Sequence, residues 1–153
     1  MVRIDLLSPL RLTRALLPAM LARKAGVIVD VASMAALAPT PGMTWYHAAK
    51  GGLAAASEAL RGELRGTGVH VVTVYPGLIG ETDMARAALE KYQTSKLVSA
   101  QPVGTAAELA RRIRTAIEKR QARVIYPRVN TLARWLPAPT RWLMDRFTPA
   151  VTA

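Results

Sequence analysis

Three short apolar runs rich in β-branched residues, Gly26-Val27-Ile28-Val29-Asp30-Val31-Ala32, Val69-His70-Val71-Val72-Thr73-Val74-Tyr75 and Arg123-Val124-Ile125-Tyr126, alternate along the chain with longer helical stretches. Each run is the length of a strand and reads as one that is buried. The intervening stretches, from Tyr46 to about Arg65 and from Thr105 to Arg120, have the length and alanine content of helices. Gly66-Thr67-Gly68 ends the first of these helices, and Pro76-Gly77 closes the second strand. The order is helix, strand, helix, strand, helix, strand. It implies parallel strands joined by crossover helices, and so an α/β fold.

Ser33 follows the first run, and Tyr46 and Lys50 lie further along, at the start of the alanine-rich helix. Ligands of open α/β sheets bind at the carboxyl ends of the strands, where the first run delivers Ser33. Positions i and i+4 share a helix face, so the phenol of Tyr46 and the ammonium of Lys50 point toward one ligand. A free phenol has a pKa of about 10 and is a poor base near neutrality, but a neighbouring cation favours its anion. Tyr46 is then a candidate general acid and base. A hydroxyl held across the pocket, such as Ser33, hydrogen-bonds the same substrate oxygen and aligns it.

With Pro76-Gly77-Leu78-Ile79 after the second strand, these residues resemble the short-chain dehydrogenase/reductase family, over the stretch from about Val2 to Pro127. The resemblance implies a partial Rossmann-type, doubly wound parallel sheet made of the family's three carboxyl-terminal strands. It also implies NAD or NADP as cofactor, with Ser33, Tyr46 and Lys50 as catalytic residues. Lys50 would hold the nicotinamide ribose and tune Tyr46, and Ser33 would orient the substrate oxygen. Pro76, Gly77, Ile79 and Thr82 would join Tyr46 and Lys50 in binding the cofactor, with the backbone near Ile79 meeting the carboxamide. Thr82 lies one residue later than the family's commonest spacing. Two further departures stand out. No G-x-x-x-G-x-G turn for a dinucleotide pyrophosphate occurs, and Asp5 stands in the helical stretch from Val2 to Thr13 where the family has an asparagine. The expectation is a fragment or truncated frame whose first strand lacks an inner neighbour, an exposed edge open to pairing.

Absence of cysteine excludes disulfides, thiolate catalysis and cysteine-ligated metal. His47 and His70 are isolated in sequence, so no metal site is expected. The chain carries a formal charge of +11, of which residues 101–153 supply +7 through ten basic and three acidic side chains. The arginines follow helical patterns without a nucleic-acid motif, so Arg111, Arg112, Arg114, Lys119 and Arg120 read as a solvated face and no nucleic-acid partner is expected. Residues 1–127 form the catalytic domain of this reading. Residues 128–153 form a basic tail in which Trp135, Trp142 and Phe147 mix with arginine, broken by Pro137 and Pro139. The tail reads as a substrate lid, a subunit interface or a membrane-surface contact. Small residues in the Tyr46 helix, among them Gly51 and Gly52, permit close approach of a second subunit, so a homo-oligomer or a complementing chain is expected.

The function expected is an NAD(P)-dependent oxidoreductase that interconverts a carbonyl and a secondary alcohol on a hydrophobic small molecule. The alternatives are a non-catalytic remnant or partner subunit that oligomerises through the Tyr46–Arg65 helix, and a membrane-peripheral binding module. A cytoplasmic location is expected, with the membrane surface as the alternative.

Overall fold

The structure, a computed structural model, describes residues 1–80, 82–91 and 102–148. A π-helical turn, Arg3–Leu7, leads into α1 (Ser8–Ala22), which is followed by β1 (Gly26–Val31) and a 3-10 turn, Met34–Ala36. Helix α2 (Thr44–Glu63) and strand β2 (Val69–Pro76) come next, then α3 (Asp83–Lys91), α4 (Ala106–Glu118) and β3 (Arg123–Tyr126). The tail holds a 3-10 turn, Arg128–Asn130, and helices α5 (Thr131–Trp135) and α6 (Pro137–Phe147). The three strands form a parallel sheet in the order β1-β2-β3. The strands expected from the sequence are these strands, each to within a residue.

Local chemistry explains the boundaries. Gly68 has a φ of +86°, and a Cβ there would collide with the Lys24 carbonyl, so only glycine fits the turn into β2. The Thr105 hydroxyl accepts a hydrogen bond from the Glu108 N–H at 3.3 Å and starts α4. In the tail the prolines open a helix as well as ending one. Pro137 is the first residue of α6 and Pro139 lies in its first turn, where a missing N–H leaves no intrahelical bond unmade.

Strand β2 is the centre of the core. On one face Val69 and Val71 pack with Ile28 and Leu64, covered by Leu17 and Met20 of α1 and Leu60 of α2. On the other, Val72 and Val74 pack with Val124, Ala116 and the α4 residues Leu109 and Ile113. Helices thus cover both faces, as the doubly wound reading requires. Full burial of each valine stabilises by about 1.5–3 kcal/mol. Among the described residues β1 pairs only with β2, and its Val27 and Val31 are exposed.

A carboxylate cluster joins the tail to this body. Glu58 of α2 is held in a fork by Arg123 of β3, at 2.7 and 2.9 Å, and by Arg134 of α5, at 2.9 and 3.2 Å. The Tyr75 hydroxyl of β2 donates to the same carboxylate at 2.6 Å. Most of the tail's large apolar groups remain exposed, Trp135 and Trp142 included, while Met144 is buried. Residues 149–153 of the expected tail lie outside the described residues.

Candidate active site

The carboxyl end of β1 and the first turns of α2 meet through Lys50. Its ammonium donates to the Val31 carbonyl at 3.1 Å, two residues before Ser33. It also lies 3.2 Å from the Asp5 carboxylate in the π-helical turn, in an ion pair largely shielded from solvent. Three segments remote in sequence therefore converge on one cation. Asp5 was legible only as a departure from the resembling family, and its partner was not legible at all.

Ser33 caps the Met34–Ala36 turn: its Oγ accepts from the Ala35 N–H at 3.1 Å. That bond engages a lone pair and leaves the hydroxyl proton free to be donated to a ligand oxygen. Tyr46 is half-buried, and its hydroxyl faces the Met84 sulfur of α3 at 3.8 Å. Met84 is a contact that the sequence reading missed. No periodic signal links a residue of α3 to a phenol 38 positions earlier.

His47, isolated in the sequence, has a structural task. Its Nε2 accepts from the Thr40 N–H at 2.8 Å, and on that tautomer Nδ1–H donates to the Ala35 carbonyl at 2.8 Å. The imidazole fastens the loop after Ser33 to the first turn of α2. It is therefore a positioning group for the two segments that carry Ser33 and Tyr46. His70 touches the Gln121 carbonyl at 3.0 Å, at the other end of β2. Among the described residues no group of acidic, cysteine or histidine side chains is placed to hold a metal.

The loop after β2 is fixed by backbone bonds. Gly77 N–H donates to the Tyr126 carbonyl at 2.7 Å, Gly104 N–H to Leu78 at 2.8 Å, and Gly80 N–H to Gly104 at 3.0 Å. This pattern leaves the amide N–H of buried Ile79 without a hydrogen bond among the described residues. Pro76 ends β2, and a Cβ at Gly77 would meet Asn130 Nδ2 at 2.6 Å, so the tail closes on this loop. The Thr82 hydroxyl donates to the Ile79 carbonyl at 2.8 Å and accepts from Ala85 N–H at 3.2 Å. It caps α3, and a cofactor contact would have to share it.

Comparison with known proteins bears on the family and the fold. The family model for short chain dehydrogenases matches residues 1–93. The ketoacyl reductase HetN of Nostoc sp. is 42% identical over 80 residues, which are 52% of this chain and 28% of that protein. The 3-oxoacyl-[acyl-carrier-protein] reductase FabG of Salmonella typhimurium is 35% identical over 103 residues, 67% of this chain and 41% of that protein. A short-chain dehydrogenase from Sphingobium yanoikuyae, solved in complex with NADPH, superposes with a TM-score of 0.72 at 26% identity, over 100% of this chain and 58% of that one. The chain thus spans well under two thirds of the length of the proteins it matches.

Proposed function

Because this chain belongs to the short-chain dehydrogenase family, we propose that it interconverts a carbonyl and a secondary alcohol with NAD or NADP, on a small hydrophobic substrate. The observation that carries this reading is the convergence on Lys50, which brings the Ser33 end of β1 against the helix that bears Tyr46. Tyr46 gives its phenolic proton to the carbonyl oxygen in reduction and takes it back in oxidation. Ser33 donates a hydrogen bond to that oxygen and holds it in line. Lys50 supplies a positive charge one turn along the same helix face.

The residues fit a nicotinamide cofactor in part. The Lys50 ammonium suits ribose hydroxyls, and the Ile79 N–H, without a hydrogen bond among the described residues, suits a carboxamide oxygen, with Pro76, Gly77 and Thr82 shaping the same loop. The sequence has no glycine-rich turn for the pyrophosphate. When bound, the nicotinamide supplies the hydride, and the protein supplies orientation and electrostatics.

Titration of the purified chain with NADH and NADPH, with fluorescence as the readout, tests the cofactor half. Saturable binding that weakens in Lys50→Ala is expected. For the chemistry, Tyr46→Phe should lower carbonyl reduction by about 100-fold or more while nucleotide binding persists, since a positioned acid contributes about 10²–10⁴. Activity that survives Tyr46→Phe would remove Tyr46 as the acid.

A second reading, a subunit that completes its site with another copy or a complementing chain, has its own support. Leu12 and Leu16 lie one turn apart and exposed on α1, and the outer edge of β1 carries exposed Val27 and Val31. Sedimentation of the chain as a monomer at all concentrations would remove the self-association half of this reading.

A further inference from the structure

Along the open edge of β3, between α4 and α5, runs a groove of about 860 Å³. Arg111, Arg112, Arg123, Arg128 and Arg134 line it, with Trp135 beside them. Four segments supply these five guanidiniums: α4, β3, the turn after β3, and α5. Helical periodicity within α4 does not account for such convergence.

Their charge is only partly compensated. Among the described residues two carboxylates pair with them: Glu108 with Arg111 and Arg112, and Glu58 with Arg123 and Arg134. Arg128 is exposed and has no acidic partner among the described residues. A guanidinium has five N–H donors, and a forked bond to a carboxylate uses two. Arg123 and Arg134, each gripped by Glu58 through two bonds, keep the remaining donors and are held in place at the same time. Arg112 lies with its guanidinium 5.2 Å from the Tyr126 ring centre and its Nε 2.7 Å from a Glu108 oxygen, which leaves its terminal N–H groups as donors.

Clustered, preorganised guanidinium forks are suited to phosphate, which accepts paired N–H bonds. A second copy of this chain is a poor occupant, because a self-paired face would set these arginines against their like. Nor does the groove stand apart from the site above. Leu37, in the loop after Ser33, and Ile125 line it too, and both pack on the Ala32–Ala54–Tyr75 cluster beneath that loop.

We propose that this groove binds a small molecule bearing clustered phosphate groups, with Trp135 available to stack on an attached ring. If the oxidoreductase reading holds, such a ligand is the anionic handle of a carbonyl substrate, with Leu37 common to the groove and to the loop that follows Ser33. The binding itself is independent of that reading and can be measured without turnover.

Calorimetric titration of the chain with pyrophosphate and with coenzyme A, in low and raised salt, tests it. Saturable binding of at least one probe is expected, weakened by about tenfold or more in Arg128→Glu and less in Arg128→Lys, which keeps charge but loses the fork. Arg114→Gln, on α4 but outside the groove and paired with Glu118, should bind as the parent does. Pyrophosphate bound as tightly as coenzyme A would identify phosphate alone as the ligand. Coenzyme A bound more tightly, with the difference lost in Trp135→Ala, would identify a ring-bearing carrier. No saturable binding of either probe, or equal weakening in Arg114→Gln, overturns the proposal. Lys50→Ala and Arg128→Glu separate the two readings with reduced nicotinamide mononucleotide, which carries a single phosphate, and coenzyme A as ligands: Lys50→Ala should weaken only the mononucleotide and Arg128→Glu only coenzyme A, so either half can fail alone.

Discussion

At the scale of single residues, the ion pair between Lys50 and Asp5 falls at the position where the resembling family carries an asparagine. An asparagine at that position would leave the Lys50 charge whole, whereas a carboxylate at 3.2 Å offsets much of it. Under the proposed chemistry, Asp5 therefore competes with a bound ribose for the Lys50 ammonium. Asp5→Asn is expected to tighten NADH or NADPH binding by about threefold to tenfold, read by fluorescence titration, since a partly exposed ion pair is worth about 1 kcal/mol. Binding that weakens instead, together with a lower melting temperature, would make Asp5 a structural anchor only. The structure places Ser33 just past the carboxyl end of β1 and Tyr46 and Lys50 in the first turns of α2, where the sequence pattern led one to expect them. That Met84 would face the phenol and that His47 would tie the Ser33 loop to α2 was not legible in the sequence, because both contacts depend on how loops close.

Helix α2 shows how one element serves several neighbours. Its two adjacent glycines looked equivalent in sequence, and the structure separates them. A Cβ on Gly52 would meet Leu6 at 3.2 and 3.3 Å, so this glycine accommodates the π-helical turn within the chain. A Cβ on Gly51 would meet nothing within 4 Å. Gly51→Ala should therefore raise the stability of an isolated chain by about 0.5–1 kcal/mol through helix propensity and a more restricted unfolded state. Urea denaturation measures this, and the opposite sign accompanied by loss of an oligomer would show that Gly51 faces a second subunit. Gly52→Ala should gain less, because Leu6 must shift to admit the methyl group.

For the molecule as a whole, Glu58 ties α2 to β2, β3 and the tail. Forked bonds from Arg123, opposed by burial and aided by Tyr75 and Arg134, hold its pKa well below the usual carboxylate range. A depressed carboxylate contributes stability that is fully present above the unfolded value of about 4.5 and is lost as pH falls from there through the folded value. Tyr75 has the opposite sense. Burial first, and its bond to Glu58 second, push its phenol from 10.0 up to about 12, so its contribution is lost as pH rises through that interval. Glu58→Gln should cost about 1–3 kcal/mol, less than a fully buried pair because the cluster is partly exposed, and should flatten the acid side of the stability profile. Comparing parent and variant cancels the contribution of buried Asp30, whose carboxyl is raised by burial. Melting temperatures that fall in parallel at every pH would refute the linkage, and faster proteolysis of the tail in the variant would confirm that Glu58 anchors it. What the sequence determined by itself was local: β-branched runs of strand length, helices between them, hence a parallel sheet, and a serine, tyrosine and lysine placed at its carboxyl end. These follow from backbone propensity and periodicity, which act over a few residues. Only the tertiary structure decided that Asp5 would reach Lys50, that one glutamate would hold two arginines 65 and 76 residues away, and that arginines read as a solvated helix face would line a groove with others from β3 and the tail. Those pairings arise when the sheet brings remote segments together, and no local pattern encodes the distance between them.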